Sequence, residues 1–205
     1  MKDILITKAI PDHAIGGELN GMALDYMAYP LVGTTNRKVI EHTFMQLWKK
    51  KENRFSHQYS YVAQLNQKPV GMITCYPVPV LDRLALPTFR QLIFLRGWEL
   101  IRHSIMNFQD LWSLANLKEG RKDEYHIGAL ATLPESRGYG VGSHLIQFAE
   151  NIAKEQSFQK CSLTVKTENV RALKLYEKMG YHVVNGIERP PYSLYRMSKI
   201  LTDKE

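Results

Sequence analysis

Apolar positions recur along this chain with two different periods, and the period changes at residues that break backbone regularity. Ile4 to Ile10 reads as a first strand, ended by Pro11-Asp12. A loosely helical region follows to about Met27, diluted by Gly16, Gly17 and Gly21. From Arg37 to Lys51, Val39, Ile40, Phe44, Leu47 and Trp48 fall at helical spacing. Tyr59 to Leu65 and Pro69 to Tyr76 read as strands joined by the short polar turn Asn66-Gln67-Lys68, and Pro77 and Pro79 end the second.

Between Val80 and Glu124 the pattern is less regular. Phe89, Leu92, Ile93, Leu95 and Trp98 suit one helix, and Leu100, Ile101, Ile105 and Met106 another, with a break near Gly97. Aromatic residues at such spacing usually mean burial, so Phe89, Phe94, Trp98, Phe108 and Trp112 are expected mostly in the core. The alternatives are an acceptor wall or a dimer contact. Lys118 to Glu124 is a charged loop. Beyond it come a strand (Tyr125 to Leu133), a helix whose apolar face is Val141, Leu145, Phe148, Ala149, Ile152 and Ala153, and a strand (Lys160 to Val165). Asn169 to Met179 forms a short helix closed by Gly180, and Tyr181 to Asn185 and Tyr192 to Ile200 are the last strands. Strands alternating with helices, with hairpins at the ends, predict a mixed α/β sheet. No linker or repeat divides the 205 residues, so one domain over 1–205 is expected.

Bulk properties narrow the function classes. The hydrophobic content of 44% and charged content of 23% are those of a soluble globular protein. No apolar run is long enough to span a bilayer, and no signal segment is read at Met1, so no membrane role is expected. Cys75 and Cys161 form no Cys-x-x-Cys and read as buried thiols, which points by default to the cytoplasm. The formal net charge of +7 admits a polyanionic partner. Lys49-Lys50-Lys51, however, falls at a helix end, and no basic stretch with interleaved aromatics makes a nucleic-acid motif, so none is expected as partner. The histidines show no metal-ligand spacing, so no metal is expected.

The chemistry concentrates where the strand ending at Leu133 meets a helix. Arg137-Gly138-Tyr139-Gly140-Val141-Gly142-Ser143 leaves backbone N–H groups bare at a helix start, a geometry suited to phosphate or pyrophosphate. A dinucleotide-binding fingerprint fails because position 143 is Ser, and a Walker loop fails because no Lys lies between Arg137 and Ser143. A tight turn without chemistry is the bland alternative.

Taken with Ile127 to Glu135 before this loop, and with Asn169-Val170-Arg171-Ala172-Leu173-Lys174-Leu175-Tyr176-Glu177-Lys178-Met179-Gly180-Tyr181 after it, the chain resembles the GNAT superfamily of N-acetyltransferases. The resemblance is strong over about residues 125–183, weaker over 1–76 and absent over 80–124, which reads as an atypical insertion. It implies a mixed, mainly antiparallel sheet flanked by helices and splayed after the fourth strand to admit acetyl-CoA. It also implies that N–H groups of Arg137, Gly138, Tyr139, Gly140, Val141, Gly142 and Ser143 hold the pyrophosphate. The backbone of Leu130, Ala131 and Thr132 would pair with the pantetheine arm, Leu130 N–H would polarise the thioester carbonyl, and Asn169 would bind the cofactor. Tyr176 matches the residue that returns a proton to the departing thiolate, and His126 matches the position of a general base, with Glu124 and Tyr125 as substitutes. Each has a plainer reading, Tyr176 as a buried aromatic and His126 as a hydrogen-bonded strand histidine. If bulk water takes the amine's proton, no base is needed.

The expected activity is acetyl transfer to a primary amine of a small molecule or protein. The alternatives are a non-catalytic CoA-binding sensor or scaffold of the same fold, and an unrelated phosphate-binding domain. A homodimer is also admitted, since the apolar residues of Tyr192 to Leu201 suit either strand pairing between subunits or ordinary core alternation.

Overall fold

A computed structural model describes residues 4–201. Seven strands, β1 (Ile4–Lys8), β2 (Ser60–Leu65), β3 (Lys68–Pro77), β4 (Tyr125–Thr132), β5 (Lys160–Lys166), β6 (His182–Arg189) and β7 (Tyr192–Ile200), form one sheet in the order β1-β2-β3-β4-β5-β7-β6. Every neighbouring pair is antiparallel except β4 and β5, which are parallel. The β2–β3 turn is tighter than the sequence implies. Asn66 and Gln67 both take positive φ, 50° and 64°, and Lys68 already pairs with Leu65.

The helices are α1 (Gly16–Leu24), α2 (Ala28–Val32), α3 (Arg37–Lys49), α4 (Val78–Met106), α5 (Phe108–Ala115), α6 (Val141–Glu155) and α7 (Val170–Lys178). Asn36 starts α3 by accepting the Lys38 and Val39 N–H groups at 3.0 and 3.4 Å, satisfying donors that a helix start leaves open. On one face of the sheet, α6 buries Val141, Leu145, Ile146, Ala149 and Ala153 against Ile73, Cys75, Ile127 and Leu163. Each large aliphatic side chain so enclosed contributes roughly 1.5–3 kcal/mol. On the other face Leu19 of α1 and Trp48 of α3 pack over Val62, Met72 and Ala131.

Two expectations change. First, β7 lies between β5 and β6, so Tyr192–Ile200 offers no free edge to a second subunit. Its alternation is core alternation, with Tyr192, Leu194 and Met197 buried. Second, the break at Gly97 is present (φ 55°, ψ −137°), but the aromatic residues around it are not core. The inward side of α4 is carried by Leu84, Leu92 and Leu100, while Phe89, Phe94, Trp98, Phe108 and Trp112 are exposed. Helical spacing groups residues on a face without saying which face turns inward. In the charged loop before β4, Glu119 and Glu124 turn inward to meet Arg54 and Arg196.

Candidate active site

β4 is bonded to β3 along its whole length but to β5 over only three pairs, Tyr125↔Cys161, His126↔Ser162 and Ile127↔Leu163. Beyond Ile127 the two parallel strands part. The parting coincides with a bulge: Thr74 pairs with Ala129 and Cys75 with Ile127, so Gly128 is the extra residue. Only glycine suits that position, because a Cβ there would collide with the Tyr76 hydroxyl.

Parting leaves backbone groups of β4 without a strand partner. Leu133 N–H is given to Val70 O at 2.7 Å, so Leu133 faces β3. Alternation along a strand then turns Ala131 toward β3 as well, and turns the N–H and C=O groups of Leu130 and Thr132 into the opening. Of the three residues expected to line a ligand with their backbone, two present free groups and Ala131 does not.

The glycine loop stands at the wide end of this opening. Gly138 and Gly140 adopt φ 83° and 76°, a left-handed conformation that side chains disfavour. No side chain caps α6, and its first-turn bond runs from His144 N–H to Gly140 O at 3.1 Å. The Val141, Gly142 and Ser143 N–H groups therefore precede any intrahelical acceptor and sit at the positive end of the helix dipole. Arg137 and Tyr139 are exposed beside them, whereas Val141 is buried and anchors the helix start. A Cβ on Gly71 would lie 3.1 Å from Ala131 O and 3.2 Å from Val141 Cγ1, so β3, β4 and α6 meet closely here.

Across the loop, α7 packs onto the start of α6, with Leu175 Cδ2 3.2 Å from the place a Gly142 Cβ would take. Asn169 caps α7, its Oδ1 accepting Ala172 N–H at 3.1 Å. Tyr176 is the buried residue of that helix, edge-on to Tyr181 with ring centroids 6.2 Å apart. Burial pushes its hydroxyl up to about 12, so it is protonated throughout the neutral range. From the opposite face of the sheet, Asp25 reaches the end of β5 to pair with Lys166 at 2.7 Å, and Tyr26 stacks on Tyr192 at 6.1 Å.

At the narrow end, His126 is fully enclosed. Its Nδ1 lies 3.1 Å from Ser162 Oγ, and its Nε2 lies 3.6 Å from Glu119 Oε2, beyond hydrogen-bond reach. Glu119 is ion-paired with Arg54, which stands beside Tyr76. Burial alone would raise the Glu119 carboxyl, but Arg54 and His126 outweigh it and hold it down to about 2. The two substitute bases are engaged elsewhere. Glu124 is paired with Arg196 and accepts Arg121 N–H at 2.9 Å, while the Tyr125 hydroxyl faces Cys75. Sequence reading did not single out Arg54, Tyr76 or Glu119, which come from three separate segments. Gly128, a glycine inside a strand pattern, was the one local sign of the bulge. Among the described residues, no group of three or more His, Cys, Asp or Glu side chains is placed to hold a metal ion, and no helix is long and apolar enough to cross a membrane.

Residues 26–181 match the profile of the acetyltransferase (GNAT) family. N-alpha-acetyltransferase 30 of Schizosaccharomyces pombe is 28% identical over 78 residues, covering 34% of this chain and 52% of that protein, so the chain spans about half the length of this curated relative. Among solved structures, an N-acetyltransferase from Staphylococcus aureus Mu50 superposes with a TM-score of 0.73 at 23% identity, covering 95% of this chain and 99% of that one. A further structure, described as an acetyltransferase, superposes with the same TM-score of 0.73 at 19% identity, covering 97% and 100%. A sheet that opens between two parallel strands, with a glycine loop at the mouth, accompanies the family profile that runs through both, and that profile establishes that this chain belongs to the GNAT acetyltransferase family.

Proposed function

We propose that the chain transfers the acetyl group of acetyl-CoA to a primary amine of a small molecule or protein by direct attack of the amine. The observation that carries this reading is the parting of β4 and β5 after Ile127, with Leu130 and Thr132 facing the gap and residues 138–143 at its mouth. When bound, acetyl-CoA supplies the activated acyl group and a thiolate leaving group. The N–H groups at the start of α6, with those of Gly138 and Gly140, suit its pyrophosphate, and Arg137 adds a positive charge beside them; the Arg137 and Tyr139 N–H groups are instead given to Pro134 O and Ser136 O at 3.2 and 3.4 Å. Leu130 and Thr132 give the pantetheine arm a strand edge to pair with, as a peptide adds to an open sheet edge. Leu130 N–H is the donor available to a carbonyl oxygen gaining negative charge, a role that depends on a donor already fixed in place.

Tyr176 keeps its proton at neutral pH and so can give it to the departing sulfur. Asn169 holds the start of α7 with its Oδ1, which leaves its amide nitrogen as the group for a cofactor contact. His126, being enclosed, takes a proton from the amine only through an intervening water or side chain, and its Nε2 toward Glu119 is the nitrogen not engaged with Ser162. The S. pombe relative is by its name an N-alpha-acetyltransferase, which is the reason to try a peptide N-terminus among the first amines.

Acetyl-CoA titration by calorimetry, followed by thiol release against small amines and short peptides, tests the reading. Tyr176→Phe should bind acetyl-CoA as the parent does and lose about 10²- to 10⁴-fold in turnover. Thiol release at the parent rate would remove Tyr176 from the mechanism. Absence of acetyl-CoA binding by the parent would overturn the whole assignment, and binding without release on any amine would favour a CoA sensor.

A further inference from the structure

His126 is enclosed between two carboxylates, each tied to an arginine. On its Nδ1 side stands Ser162 Oγ, at 3.1 Å, with Glu124 beside it. One point, the place a Gly120 Cβ would take, is 3.3 Å from Ser162 Oγ and 3.4 Å from Glu124 Oε2. Burial raises the Glu124 carboxyl, but bonds from Arg196, the Arg121 N–H and the Ser162 hydroxyl hold it below its ordinary value. Ionised, Glu124 has no hydrogen to give. The one Ser162 hydrogen therefore goes to Glu124, and Ser162 Oγ is left to accept from Nδ1–H. The neutral imidazole then carries its free lone pair on Nε2. Glu119 Oε2 faces that lone pair at 3.6 Å, and Nε2 has no hydrogen-bond partner. Two acceptors meet there with no hydrogen between them, and the carboxylate is already charged through its pairing with Arg54.

We propose that Ser162, backed by Glu124, and Glu119 are positioning residues that make Nε2 the proton-accepting atom of His126. Ser162 pins the ring hydrogen to Nδ1, and Glu119 meets the imidazolium formed when a second proton arrives. The proposal rests on the reading of His126 as the base for the acceptor amine. In that step the acceptor's ammonium gives up one proton and keeps the electron pair that attacks the thioester, and the Nε2 lone pair takes the proton. An enclosed imidazolium without a counter-charge is costly, and Glu119 supplies one on the side where the charge forms. The cluster begins where the sheet opens. Tyr76 pairs with His126 across β3 and β4, and its hydroxyl stands against Gly128, the first β4 residue past the last pair with β5.

Heteronuclear NMR of the histidine rings tests the proposal on the intact chain without an acceptor. Two-bond proton–nitrogen correlations at alkaline pH show which ring nitrogen carries the hydrogen, and the signals lost in His126→Gln identify His126. The parent should carry the hydrogen on Nδ1. Ser162→Ala removes the Nδ1 partner and leaves Glu119 as the acceptor, so there the hydrogen should move to Nε2. With acetyl-CoA and a short peptide, Ser162→Ala and His126→Gln should each lower kcat by about 10²-fold or more with little change in KM. The double variant should lose no more than either alone, because both changes disable one proton acceptor. A parent hydrogen on Nε2, a Ser162→Ala hydrogen that stays on Nδ1, or additive losses in the double variant would overturn the proposal. The parent spectrum decides by itself if Ser162→Ala does not fold. Turnover at the parent rate by His126→Gln would overturn the base reading, and the proposal with it.

Discussion

Glu119→Gln should be among the most costly single changes outside the apolar core. Glu119 faces Arg54 and approaches His126 from the loop that leads into β4. The substitution keeps the size of the side chain and removes its charge, leaving the Arg54 guanidinium buried without a counter-ion. A carboxyl held near 2 in the fold, against an ordinary 4.5, corresponds to about 3 kcal/mol at roughly 1.4 kcal/mol per tenfold change in proton affinity. Breaking a buried ion pair by removing one partner independently costs about 3–5 kcal/mol, so the two routes agree.

The sign follows from the depressed value. This stabilisation is complete above pH 4.5, declines as the pH falls, and is gone below about pH 2. Urea titrations followed by tryptophan fluorescence at pH 7, 4 and 3 read it directly. With an m-value of about 2 kcal/mol/M, the variant's midpoint at pH 7 should fall by about 1.5 M. The parent and variant curves should converge as the pH approaches 2. Arg54→Met added to Glu119→Gln should recover part of the loss, because the orphaned charge is then gone. A loss under about 1 kcal/mol at pH 7, or parallel acid slopes in parent and variant, would refute the reasoning.

Other consequences can be checked in the same way. Gly128→Ala should destabilise by about 1–3 kcal/mol, because its Cβ must displace the buried Tyr76 ring, and the parent midpoint in the same urea series would disprove the close approach. Gly138→Val has open space for its side chain but a backbone φ of 83°, so it should cost about 1–2 kcal/mol of stability and weaken acetyl-CoA binding by tenfold or more in calorimetry. With Tyr176 pushed up to about 12, turnover should show no alkaline loss from this group below about pH 10; a limb near pH 8 that disappears in Tyr176→Phe would contradict its buried setting.

Much of this protein is legible residue by residue. Pro77 and Gly180 stand at element ends as their backbone preferences require, whereas Pro30 and Pro87 lie inside α2 and α4, and the break at Gly97 falls where the apolar spacing changes. Gly138 and Gly140 occupy the left-handed conformations their positions demand, and the motif pair around Arg137 and Tyr176 was enough to name the family. These features are local, set by backbone preferences and by residues within a turn of each other. What tertiary structure alone decided is which surfaces face inward and which distant groups meet. Helical spacing grouped apolar residues along α4 and α5 but left their direction open, and the body takes Leu84 and Leu92 before the break at Gly97 and Leu100 after it. Glu119 and Arg54 are 65 residues apart, and His126 and Ser162 are 36 apart. No local pattern records that these groups meet. The opening between β4 and β5 is likewise a property of two strands and a bulge, because a strand carries the same local signature whether its neighbour continues beside it or turns away.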